Sequence, residues 1–186
     1  LARVVATLFM YISLYVLGSV LWAGVAGRRL FFLIAAIGSG FGWLLAPLTG
    51  LTTFPDLAIP EIFPFYSSLV NPHFPLALAA LALLAAQVVL LTRPCHPMLP
   101  RWSWLGTAIL SLALALLYPQ GLAPFAVAVV VYLALVWQKE RKLPDRTRIH
   151  VIALIAPAVP VAIYIGLQVR FSAVFTEWNR QNVTPA

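Results

Sequence analysis

Six runs of apolar residues, at 4–26, 30–48, 75–91, 105–118, 122–137 and 151–169, dominate this chain and constrain its fold more than any motif does. About 20 apolar residues, rising about 1.5 Å each, cross a hydrocarbon core about 30 Å thick. In lipid every backbone N–H and C=O must be satisfied within the protein, so apolar runs of this length are expected to be helices. Only 9% of the chain is charged, against about 25% in soluble domains. The sequence therefore predicts an all-α, polytopic transmembrane helical bundle of about six spans. It forms one domain over residues 1–186, with the lipid bilayer as its solvent. The runs at 105–118 and 122–137 are the shortest. They cross if Trp102 and Trp104 extend them or the bilayer thins; the rival reading is a re-entrant hairpin.

Charge tests the span count. Arg28 and Arg29, the 92–104 loop and the 138–150 loop hold nine of the twelve Lys and Arg residues. The other side keeps three, Arg3, Arg170 and Arg180. By the positive-inside rule, loops 28–29, 92–104 and 138–150 are cytoplasmic. Loop 51–74, the Pro119-Gln120-Gly121 turn and the C-terminal tail are then extracytoplasmic. The net charge of +7 thus reports topology, and no nucleic-acid partner is expected. A single cysteine, Cys95, excludes an internal disulfide. The first run has no basic leader and no cleavage site, so it reads as a span rather than a signal peptide. The chain opens apolar at Leu1 and closes on Thr184-Pro185-Ala186, which reads as an internal segment of a longer protein.

Gly18 and Gly24 offer close approach to a neighbouring helix. Gly38-Ser39-Gly40-Phe41-Gly42-Trp43 is glycine-rich but lacks the Lys-Ser/Thr of a phosphate loop, so it reads as packing. Pro47 ends the second run, and Pro157 and Pro160 are expected to kink the last. Within the spans Gln87 and Gln168 are the main polar intrusions. That near-absence of ionisable groups argues against a proton pump or ion-coupled transporter.

The 51–74 loop concentrates what chemistry the sequence offers. Asp56 and Glu61 stand five apart among prolines, where two carboxylates converge on a cation or share acid–base work; the plain alternative is a solvated pair beside the membrane. His73 follows Asn71-Pro72 at the mouth of the third run and suits a general base, a metal ligand or a phosphate partner, against a helix-capping or interfacial histidine. The tail places Glu177, Trp178 and Arg180 on the same side. There Arg170 or Arg180 suits a phosphate and Trp178 a sugar face, against an ordinary aromatic belt. The candidate substrate-site residues are thus Asp56, Glu61, Asn71, His73, Glu177, Trp178 and Arg180.

The segments GSGFGWLLAP, PDLAIPEIFPFYSSLVNPHFPLALA, LYPQGLAPFAVAVVVYLAL and FTEWNRQNVTPA resemble bacterial polytopic membrane proteins of the GT-C glycosyltransferase type. That resemblance implies transfer of a sugar from a polyprenyl-phosphate carrier to an acceptor on the extracytoplasmic face of the plasma membrane. It also implies a principal catalytic acid, usually Asp, in a first outer loop, which would lie upstream of Leu1. The catalytic residue is therefore not assigned to this chain, and the loop residues are secondary site residues. No cofactor is required; some such enzymes use a divalent metal, Mg or Mn, and others none. Two other readings stand beside it: a non-catalytic membrane subunit of a larger complex, and a transporter or flippase of lipid-linked substrates, the weaker of the two because the spans lack charge.

Overall fold

The computed structural model describes residues 1–37, 42–50, 64, 68, 71–92, 102–143, 145–174 and 177. All regular structure among them is helical: α1 (Ala2–Leu21), α2 (Val25–Ile37), α3 (Gly42–Thr49), α4 (His73–Thr92), α5 (Ser103–Leu117), α6 (Pro119–Glu140), α7 (Thr147–Ile155) and α8 (Ala158–Phe171). Four stretches are long and apolar enough to cross a membrane: Ala2–Leu21, His73–Thr92, Gly121–Glu140 and Thr147–Phe171. The six expected runs thus resolve into four such helices, a shorter apolar α5, and the pair α2 and α3.

α4 is the centre of the packing. Its apolar residues surround the whole helix, the pattern of an element buried between neighbours. Ala77, Ala80 and Leu84 face a core shared with Leu114, Val129 and Leu154. Ala79 and Ala82 face Met10 and Leu14 of α1. Alanine on both faces lets two helices approach closely, and α1 packs along α4 in the broadest helix contact among the described residues. The outer faces carry Val4, Leu8 and Ile12 on α1, Val127 and Val130 on α6, and Ile163 and Leu167 on α8, all more than half exposed. Apolar surface this extensive is matched by lipid and not by water. Some hydroxyls on these helices bond back to their own backbone, as Ser13 does to Phe9 O (2.7 Å) and Thr49 to Leu45 O (2.9 Å).

Several boundaries differ from the sequence reading. The first helix stops at Leu21, not near residue 26, because Trp22–Gly24 breaks it. Arg28 folds back and donates to the carbonyls of Trp22 (2.8 Å) and Ala23 (3.0 Å). Both Arg28 and Arg29 thus lie within α2 rather than in a 28–29 loop between spans. Gly18 meets its expectation: a Cβ there would fall 2.7 Å from the Phe31 ring, so α2 lies against it. Gly24 does not, since nothing stands within 4 Å of it. The Pro119-Gln120-Gly121 turn is the first turn of α6, with Pro119 at the position that needs no N–H donor. Only Tyr118 separates α5 from α6. A Cβ at Gly121 would strike the Tyr118 ring, so any other residue here would displace that ring. The last run is broken at Ala156–Pro157, as its prolines imply. Residues 38–41 of the glycine-rich motif and most of loops 51–74 and 92–104 lie outside the described residues.

Candidate functional site

The bundle has two chemically distinct ends. At one, the start of α4 meets the α5–α6 joint: Phe74 and Tyr118 pack edge to face with centroids 6.2 Å apart. The His73 ring lies 4.0 Å from that of Phe74. His73 is half-buried and Asn71 exposed, with the Asn71 carbonyl accepting the Phe74 N–H at 3.2 Å. Arg170, near the end of α8, holds its guanidinium 5.8 Å from the Phe171 ring, and Glu177 is exposed beyond it. Asp56, Glu61, Trp178 and Arg180 lie outside the described residues. Of the seven sequence-derived candidates, Asn71 and His73 stand together at the mouth of α4. The described residues bring no three His, Cys, Asp or Glu side chains together as metal ligands.

The opposite end holds a polar network that sequence reasoning missed. α5 presents Ser103, Thr107 and Ser111 at four-residue spacing, which aligns them on one face. Thr107 donates to Gln87 Oε1 of α4 (2.9 Å) and lies 2.7 Å from His150 Nδ1 of α7. Ser103 Oγ lies 3.2 Å from His150 Nε2. Ser111 donates to the Leu154 carbonyl, in the turn before the Pro157 break. Thr107 has one proton, and it goes to Gln87. In the neutral ring, Nδ1–H therefore donates to Thr107, and Nε2 accepts from Ser103. The chain of donors ends at an amide oxygen, which does not take up a proton near neutral pH. The network is a three-helix clamp rather than a proton relay. Thr92 and Tyr132 add a 2.7 Å bond between α4 and α6 at the same end.

Its charged neighbours group His150 with the 138–150 loop in the sequence. It belongs to α7, 5% exposed, because the helix begins at Thr147. The four-residue hydroxyl spacing on α5 was the available signal. A partner 43 residues away was not readable.

Two clefts flank the start of α7. One, of about 580 Å³, is lined by Trp102, Trp104, Arg146, Ile149 and His150. The other, of about 540 Å³, is lined by Trp137, Lys142, Leu143, Asp145, Thr147 and Arg148. Comparison with family models, curated proteins and solved structures finds no match to this chain.

Proposed function

We propose that the chain is a six-span protein of the bacterial plasma membrane that transfers a sugar from a polyprenyl-phosphate carrier to an acceptor on the extracytoplasmic face. The observation that carries this reading is the contact of Phe74 with Tyr118 at the end of the bundle away from the Lys and Arg residues of 139–148. It joins the exit of the 51–74 loop to the α5–α6 joint, the arrangement expected of one wall of an outer-face chamber. In that chamber an acid of the loop, Asp56 or Glu61, deprotonates the acceptor hydroxyl with His73 beside it. Arg170 or Arg180 holds the leaving phosphate. The resemblance to GT-C transferases supplies the donor class.

Replacing Asp56, Glu61 and His73 singly, with Asn, Gln and Ala, and measuring transfer from a radiolabelled polyprenyl-phosphate sugar tests the reading. Loss of transfer in at least one variant is expected; unchanged transfer in all three removes the loop from the mechanism.

A second reading, a non-catalytic membrane subunit, has its own support. Thr107 and Ser111 are buried polar side chains committed to helix–helix bonds, with buried His150 as the partner of Thr107. A stoichiometric complex recovered in mild detergent, without binding of lipid-linked sugar, favours it over the transferase.

A further inference from the structure

The start of α7 carries an unsatisfied group that neither reading uses. α6 ends where Arg141 adopts a left-handed conformation (φ 57°) and donates its N–H to the Trp137 carbonyl at 2.8 Å. That reversal turns Lys142 and Leu143 back toward α7. α7 has no side-chain cap at its N-terminus, so its first N–H groups lack helical acceptors and carry a partial positive charge. Thr147, the first helical residue, is 3% exposed, and its hydroxyl has no hydrogen-bond partner among the described residues. Thr147 lines the 540 Å³ cleft together with Lys142, Arg148, Asp145 and the Trp137 indole.

An uncapped helix start, a buried hydroxyl and two cations together form an anion site. A tryptophan on its wall is the residue type that sits at headgroup depth. We propose that this cleft binds the phosphate of an anionic glycerophospholipid. Lys142 and Arg148 hold the phosphate oxygens, and the Thr147 hydroxyl donates to one of them. Asp145 repels a bare anion but accepts a hydroxyl from a glycerol headgroup, so the cleft favours phosphatidylglycerol over phosphatidic acid. The proposal does not depend on sugar transfer.

The test is native mass spectrometry of the full chain in detergent, offered equal phosphatidylglycerol and phosphatidylcholine, with thermal unfolding checked for each variant. The wild type is expected to retain phosphatidylglycerol selectively. The pair Lys142→Gln/Arg148→Gln is expected to lower that retention about tenfold, the scale of lost charge-assisted bonds. The pair Lys139→Gln/Arg141→Asn removes equal charge outside the cleft, with Asn tolerating the left-handed position. It is expected to stay within about twofold of wild type, the scale of surface electrostatics. Thr147→Val is expected to lower retention and Thr147→Ser to restore it. Equal losses in the two charge pairs would show diffuse attraction and overturn the site, as would absence of any phosphatidylglycerol preference. Displacement of the lipid by excess inorganic phosphate would assign the cleft to a soluble anion and overturn the lipid proposal.

Discussion

Thr107→Val keeps the shape of the α5 side chain and removes the hydroxyl on which the three-helix clamp turns. Two interhelical bonds go with it, to Gln87 Oε1 at 2.9 Å and to His150 Nδ1 at 2.7 Å. Water does not readily replace them, because Thr107 and His150 are 3% and 5% exposed. In a soluble core the orphaned groups would cost about 1–3 kcal/mol each. In a bilayer the unfolded reference also finds partners, and interhelical bonds average about 0.6 kcal/mol with a maximum near 1.7. The membrane value governs here, so two lost bonds predict a destabilisation of about 1–2 kcal/mol. The assay is unfolding in mixed micelles by titration with SDS, followed by tryptophan fluorescence. A double-mutant cycle with His150→Leu isolates the Thr107–His150 term, expected to be about 1 kcal/mol because each bond polarises the next. A Thr107→Val change below about 0.3 kcal/mol, within additivity error, would refute the clamp. So would a cycle with no coupling.

Three further outcomes follow from the packing. Gly18→Leu drives a side chain into the Phe31 ring and is expected to cost about 1–3 kcal/mol by overpacking in the same titration. Gly166→Ala meets no atom within 4 Å; in the interior of α8 it is expected to stabilise by about 0.5–1 kcal/mol. In a Cys95→Ser background, single cysteines at Leu143 and Ala173 are expected to react with a membrane-impermeant maleimide from opposite sides. Labelling of both from one side would rule out an odd number of crossings over 147–171.

The apolar runs were legible because lipid leaves the backbone little choice but helix, and α4 was legible in kind: an alanine-rich helix without a polar face belongs in the middle. What sequence alone could not place were the joints. Trp22–Gly24 contains one glycine in an otherwise apolar run. Its break is visible only with Arg28 lying over the carbonyls of Trp22 and Ala23. The candidate site divides in the same way. Asn71 and His73 were legible at the mouth of α4, while their partnership with Tyr118 through Phe74 needs a helix pair closed 44 residues downstream. Gln87 shows the deeper reason. In the linear sequence it is a lone polar intrusion, and the functional instinct is to ask what it binds. In the bundle its amide lies against Gly106 and accepts from Thr107, on the face of α5 that also holds His150. The small residue on α5 leaves the glutamine space, and the neighbouring hydroxyl gives it a donor. Polar residues in these helices therefore report first on which faces meet, and a chemical role is better sought where a buried polar atom, such as the Thr147 hydroxyl, has no such partner among the described residues.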